Sequence, residues 1–121
     1  MARVEDETSV LIQLETVAAV EQAEAIADVD GVTGIFFGPG DISADMGLMG
    51  KPMDPKVWAL IKPAAQKLIA KGTPVGTLVL DADFAAELMN EGFSFVACGT
   101  DTSILSRGVD DLLAAVQGKS R

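Results

Sequence analysis

Two acidic residues, Glu15 and Asp41, are the side chains of this sequence best placed to do chemistry. Glu15 follows a short apolar run that ends at Leu14, and Asp41 follows a second run that ends at Phe37 and a Gly-Pro-Gly turn. Such runs predict buried strands, and both carboxylates would then project from one rim of a sheet. Two carboxylate ligands, with the other positions left to water and substrate, favour Mg²⁺ or Mn²⁺, with Co²⁺ as a further candidate, over zinc.

Each acid also has an ordinary structural interpretation. Glu15 can lie in the first turn of a helix, where negative charge is favourable, and Asp41 can cap the turn that follows its strand. The metal interpretation is favoured because both acids reach the rim at which α/β folds place their active sites. The backbone amides of Gly40 and Asp41 would face the same rim, where they are candidates to bind a carboxylate.

Composition limits the other functions of the chain. Its 18 acids and 9 bases give a net charge of −9, which disfavours nucleic acid or an anionic membrane as a partner because phosphates are bound by clustered Lys and Arg. The absence of histidine removes Ser-His and Cys-His pairs, histidine-ligated zinc and the commonest general base. No apolar run has the length of a membrane span or the pattern of a secretory signal, so we expect a cytoplasmic protein.

Four predicted strands must position the two acids. They cover residues 9–14, 32–37, 74–80 and 93–98, and their near-continuous apolar composition is expected of a parallel sheet buried on both faces. The single cysteine, Cys98, ends the last run and is predicted to be buried rather than reactive.

Four predicted helices alternate with these strands and are expected to cover the outside of the sheet. The first covers residues 17–29 after Thr16 as N-cap, and the second covers residues 54–72, where Pro63 should kink or split it. The third starts at Asp81 or Asp83, carries Phe84, Leu88 and Met89 inward and stops near Gly92, and the fourth runs through Leu112, Leu113 and Val116 to Gly118. Residues 1–121 thus predict one partial domain of parallel βα units, about half of the roughly 250 residues of a TIM (β/α)₈ barrel.

At these residues the chain resembles the HpcH/HpaI aldolase family, the metal-dependent class II pyruvate aldolases that cleave 4-hydroxy-2-oxo acids to pyruvate and an aldehyde. The matching segments, residues 10–16, 30–32, 37–47 and 95–102, extend over most of the sequence. They include Gln13-Leu14-Glu15-Thr16 and Gly38-Pro39-Gly40-Asp41-Ile42-Ser43. The resemblance implies the C-terminal half of a (β/α)₈ barrel.

The resemblance also implies roles for individual residues. By it, Glu15 and Asp41 hold the metal, Gln13 lines the site, the amides of Gly40 and Asp41 take the pyruvate carboxylate, and Leu78 lies near the aldehyde end of the pocket. Gly40 stands where the family usually has alanine, a change that keeps the amide and loosens the loop.

The family's histidine base and its substrate-binding arginine belong to the half of the barrel that this chain does not cover. We therefore identify no catalytic base in the chain, and its partners are expected to be a small oxo-acid substrate and either a second copy or a complementary N-terminal half. Association is expected because half a barrel leaves open sheet edges and uncovered apolar side chains. The alternative is a catalytically incompetent half-barrel that acts or folds only by such association.

Overall fold

A computed structural model describes residues 7–118 as one parallel sheet with helices packed mainly on one face. The strands are β1 (Leu11–Leu14), β2 (Gly34–Phe37), β3 (Val75–Val79) and β4 (Phe95–Cys98), and their order across the sheet is the same as their order in the sequence. The helices are α1 (Val17–Glu21), α2 (Ala23–Ala27), α3 (Pro39–Asp45), α4 (Pro55–Ala70), α5 (Ala82–Asn90) and α6 (Asp101–Gly118). The predicted α/β architecture of parallel βα units is confirmed.

The core lies between the sheet and its helices. Leu14 pairs with Phe37 and Phe37 with Thr77, so alternate residues of three neighbouring strands face the helices. The opposing apolar side chains come chiefly from α4, where Val57, Ile61, Ala65 and Leu68 are fully buried. Buried Thr77 donates its hydroxyl hydrogen to the carbonyl oxygen of Phe37 at 2.9 Å, which secures the end of β2.

Three predicted helix starts are confirmed by their caps. The side chains of Thr16, Asp54 and Asp81 accept hydrogen bonds from the first turns of α1, α4 and α5. Asp81, and not Asp83, therefore begins the third predicted helix. Pro63 lies inside α4 without splitting it into two helices.

Other helix predictions were wrong. The first predicted helix is interrupted at Gln22, whose amide is shared between the carbonyls of Ala18 and Ala19, and it ends at Ala27. A further helix, α3, occupies the Gly-Pro-Gly segment that was expected to be a turn, because proline is well suited to the first helical position. Met89 was expected to point inward but is 48% exposed, whereas Leu88 beside it is fully buried.

The C-terminal end of the sheet is less covered than predicted. No residue of α6 is buried, so Leu112, Leu113 and Val116 expose more than half of their surface, and this helix does not cover the sheet. Cys98 was predicted to be buried but is exposed, because β4 is an edge strand and Cys98 is its last residue. Gly118 is still helical, and the residues after it lie outside the described part of the chain.

The second face of the sheet carries apolar side chains, and no helix of residues 7–118 forms a layer over it. Gln13 pairs with Phe36, and Gly76 with Phe95, so these residues share that face. The ring of Phe95 lies over Gly76, where a Cβ atom would collide with it, and stacks on Phe36 with centroids 5.6 Å apart. Within residues 7–118, no helix combines the length and the apolar character needed to cross a membrane.

Candidate active site

Glu15 lies immediately after β1 and just before the N-cap of α1. Its side chain is exposed, and its Oε1 accepts a hydrogen bond of 2.8 Å from Nε2 of Gln13. Because Thr16 is the N-cap, Glu15 does not lie in the first turn of the helix, and the ordinary structural interpretation of this acid was wrong. One carboxylate oxygen is oriented by Gln13, and Oε2 has no hydrogen-bond partner in residues 7–118.

Asp41 lies in the first turn of α3, where the helix dipole favours negative charge. It does not act as a cap, because the N-cap is Gly38 and no side-chain capping bond is made. In the described chain its exposed carboxylate has neither a hydrogen bond nor an ion pair. The amides of Gly40 and Asp41 belong to the same first turn, whose N–H groups have no acceptor within the helix.

Gly38 brings the two acid-bearing segments close together. Its amide donates a hydrogen bond of 2.9 Å to the carbonyl oxygen of Leu14. A Cβ atom at Gly38 would lie 3.3 Å from Cγ of Glu15, so this side chain would have to shift slightly. It would lie 3.5 Å from Nε2 of Gln13, which is an ordinary van der Waals distance. At Gly40 a Cβ atom would meet nothing within 4 Å, so the alanine that the resemblance leads one to expect there would fit.

A cavity of about 500 Å³ opens at this rim of the sheet. Four of the five predicted site residues line it, namely Gln13, Gly40, Asp41 and Leu78. Glu15 is not among the lining residues but contacts the cavity wall through Gln13. Sequence reasoning missed the remaining apolar lining, which includes Phe36, Pro52, Met53 and Leu80.

Asp45, which ends α3, was also missed. Its Oδ2 accepts a hydrogen bond of 2.8 Å from the amide of Val17, the first residue of α1. No local sequence pattern predicts this hydrogen bond, because it joins the segment after β1 to the segment after β2. The sequence indicated only that Asp45 follows Asp41 by four residues, a spacing that places both acids on one side of a helix.

Among the described residues that line the cavity, the charged ones are Asp41 and Asp81, and none is basic. No group of three His, Cys, Asp or Glu side chains within residues 7–118 is close enough to hold a metal ion. A divalent cation would therefore have at most two such ligands from this part of the chain. Exposed, unpaired carboxylate oxygens are the donors that Mg²⁺ and Mn²⁺ prefer, and Mg²⁺ commonly keeps several waters beside one or two carboxylates.

Curated proteins of known name are similar to this chain in sequence. The sequence of 4-hydroxy-2-oxo-heptane-1,7-dioate aldolase from Salmonella paratyphi C is 42% identical over 109 residues, which cover 90% of this chain and 41% of that protein. The same aldolase from Salmonella choleraesuis matches equally well. The chain therefore spans less than half the length of the curated relatives it matches.

Solved structures of the same fold are likewise about twice as long as the part that this chain matches. The HpcH/HpaI aldolase from Desulfitobacterium hafniense DCB-2 superposes with a TM-score of 0.84 at 26% identity, over 93% of this chain and 44% of that one. A family protein from Burkholderia cenocepacia J2315 gives a TM-score of 0.79 at 27% identity, again over 93% and 44% of the two chains. The four βα units thus correspond to about half of a TIM-barrel-like aldolase.

The sequence model of the HpcH/HpaI aldolase/citrate lyase family matches residues 1–107, which contain both acids and every strand. The four-stranded parallel sheet, the sequence relatives and the structural neighbours agree with that match. The chain belongs to the HpcH/HpaI aldolase/citrate lyase family.

Proposed function

We propose that this chain is the metal- and pyruvate-binding half of an aldolase that cleaves 4-hydroxy-2-oxo acids to pyruvate and an aldehyde. The observation that carries the proposal is the pair of exposed carboxylates that follow two neighbouring strands, Glu15 directly after β1 and Asp41 in the first turn of α3, where it lines an open cavity. The names of the sequence relatives support the reaction class. The proposed metal is Mg²⁺ or Mn²⁺, with Co²⁺ as a further candidate.

Each predicted site residue has a distinct proposed role. Glu15 and Asp41 hold the cation, and Gln13 orients Glu15 through its 2.8 Å hydrogen bond. The first-turn amides of Gly40 and Asp41 bind the substrate carboxylate, because these N–H groups and the helix dipole both attract an anion. Leu78, half-buried in the cavity wall, packs against the aldehyde part of the substrate.

A divalent cation at this site would supply Lewis-acid polarisation of the 2-oxo group and charge stabilisation for the departing pyruvate enolate. Cleavage of the C3–C4 bond also requires a base that removes the proton of the 4-hydroxyl group. The chain has no histidine, and we assign this role to no residue of it. The chain therefore contributes the electrophilic part of the site, and the base is expected from outside this sequence.

Deuterium exchange into the methyl group of pyruvate tests the proposal without requiring the whole aldol reaction. We expect the chain with Mn²⁺ in D₂O, with the buffer as the base that takes up the methyl proton, to exchange the methyl protons faster than Mn²⁺ alone in the same buffer. A chelator, Glu15→Gln or Asp41→Asn should reduce the exchange to the rate of free Mn²⁺, because each removes the cation or one of its ligands.

Glu21→Gln is the matched control for Glu15→Gln. Glu21 is an exposed glutamate at the end of α1 and lines no part of the rim cavity, so its substitution should leave exchange unchanged. Exchange that persists at full rate in Glu15→Gln and in the presence of chelator would refute the proposed role.

A second candidate function is a half-barrel that is catalytically inactive and acts or folds only by association with a second copy or with a complementary N-terminal half. It is favoured by the uncovered apolar face of the sheet and by α6, whose exposed apolar residues are Ile104, Leu105, Val109, Leu112, Leu113 and Val116. Exposed apolar surface of this extent is typical of an interface.

Light scattering coupled to size-exclusion chromatography distinguishes the two candidates. Association predicts a dimer or larger species whose melting temperature rises with protein concentration. A monomer that unfolds cooperatively at a concentration-independent temperature would contradict the second candidate.

A further inference from the structure

Asp45 is placed differently from the other acids near the rim. It ends α3, where the helix dipole disfavours a negative charge, so its own helix does not explain its position. Its carboxylate instead reaches the start of α1 and accepts the amide hydrogen of Val17 at 2.8 Å. The bond supplies an acceptor for one of the N–H groups that the first turn of α1 leaves without a partner.

This bond joins the two segments that carry Glu15 and Asp41. Val17 stands two residues after Glu15, and Asp45 stands one helical turn after Asp41. On the other side of Glu15, the amide of Gly38 is bonded to the carbonyl oxygen of Leu14. The backbone at Glu15 is therefore tied to the segment of Asp41 both before and after the acid.

Asp45 is not suited to be a third metal ligand. No three described acids, cysteines or histidines approach closely enough to share an ion, and one carboxylate oxygen of Asp45 is already bonded to Val17. Its geometry fits a residue that sets the separation of the two ligands instead.

We infer that Asp45 is a positioning residue that holds the Glu15 segment against α3 and thereby fixes the distance between the two carboxylates that bind the divalent cation. The inference rests on the proposed metal site at Glu15 and Asp41. Residues that orient ligands without touching the ion commonly contribute 10- to 100-fold to metal affinity.

Mn²⁺ binding, followed by the electron paramagnetic resonance signal of free Mn²⁺, tests this role on the whole chain. Asp45→Ala should weaken Mn²⁺ binding by about 10-fold, because the bond to Val17 is lost. Asp45→Asn should stay within about 3-fold of the unchanged protein, because its amide oxygen accepts the same hydrogen bond without the charge. At saturating Mn²⁺ the pyruvate exchange rate of Asp45→Ala should return to that of the unchanged protein.

Asp54→Ala is the matched control. Asp54 also caps a helix with its carboxylate, accepting the amide of Lys56 at 2.9 Å, but it does not bond to the segment of Glu15. Its loss should lower thermal stability and leave Mn²⁺ affinity unchanged. Amide hydrogen exchange provides a metal-free check, in which Val17 should lose protection in Asp45→Ala and keep it in Asp45→Asn.

The possible results separate this inference from the proposal on which it rests. Equal Mn²⁺ affinity in Asp45→Ala and the unchanged protein would overturn the inference alone. Equal losses in Asp45→Ala and Asp45→Asn would also overturn it, because the charge and not the hydrogen bond would then be responsible. Failure of the unchanged protein to bind Mn²⁺ would overturn the metal site and this inference together.

Discussion

Acidic side chains occupy two different settings in this molecule. On the helical side, Glu87 and Glu91 converge on Lys62 with contacts of 2.7 Å each, and Glu24 contacts Lys71 at 2.9 Å. At the rim, neither Glu15 nor Asp41 has a lysine or arginine partner in the described residues. The helical acids have their counter-ions within the chain, whereas the rim acids are left free to accept a cation from outside.

The same contrast applies to the backbone around the acids. The helical ion pairs are made by long side chains that extend between helices, so they tolerate small shifts. The rim acids lie on segments held by the bond between Gly38 and Leu14 and by the bond between Asp45 and Val17. Such rigidity is expected of a site whose ligands must keep a fixed separation.

Gly38→Ala and Gly40→Ala provide the strongest test of that geometry after removal of a ligand itself. The new methyl group at Gly38 would press on Cγ of Glu15, so we expect Mn²⁺ affinity to fall about 10-fold, the size of the loss when a residue that orients a metal ligand is removed. The methyl group at Gly40 meets nothing within 4 Å, so affinity should be unchanged. Equal affinities in the two variants, measured by isothermal titration calorimetry, would show that the close approach at Gly38 does not govern the site.

Lys62→Met tests the helical setting. Lys62 bridges two glutamates and lies 5.2 Å from the ring centroid of Phe84, and methionine keeps most of its apolar length without the charge. The melting temperature should fall by a few degrees, because two acids lose their shared partner, and metal affinity should not change. A change in metal affinity would show that the two settings are coupled.

Asp41→Asn should have the opposite effect from Lys62→Met, with weaker metal binding and little change in thermal stability. Its carboxylate has no partner in the described part of the chain and gains only from the dipole of the short helix α3, so its loss should lower the melting temperature of the metal-free protein by about 1–2 °C at most. Differential scanning fluorimetry of the metal-free variant provides the measurement. A melting temperature several degrees below that of the unchanged protein would reveal a structural role for this acid.

The helical ion pairs should make the stability of the fold depend on pH. The pKa of Glu24 is lowered from 4.5 by its hydrogen bond with Lys71, and the pKa of Glu87 is lowered from 4.5 by its hydrogen bond with Lys62. A folded-state pKa below the unfolded value means that the unfolded chain binds more protons, so the stabilisation is complete above pH 4.5 and is lost as the pH falls through the folded value. Urea denaturation should show a smaller loss of stability below pH 4.5 in Glu24→Gln than in the unchanged protein.

Local sequence patterns predicted much of the fold. The four strands and their parallel order followed from apolar runs separated by helical segments, and Thr16, Asp54 and Asp81 were recognisable as caps. The helix α3 was missed because glycine and proline next to each other usually signal a turn. Its proline instead occupies the first helical position.

Features that depend on non-local packing were harder to predict. The exposure of Cys98 and of α6 depends on which elements cover the edge strand, and a run of apolar residues does not contain that information. The bond between Asp45 and Val17 likewise joins residues from two separate connections. The position of the acids along the chain indicated the candidate site, whereas the supports of the site required the tertiary structure.

Direct measurement of Mn²⁺ binding tests the central claim, that Glu15 and Asp41 hold a divalent cation. We expect one Mn²⁺ per chain, bound with an affinity that falls by about 100-fold or more in the double variant Glu15→Gln/Asp41→Asn, since ligands should contribute at least as much as the residues that orient them. The double variant Glu24→Gln/Glu87→Gln, which removes two acids from the helical side, should bind as the unchanged protein does. Equal affinity in the unchanged protein and the rim variant would contradict the account.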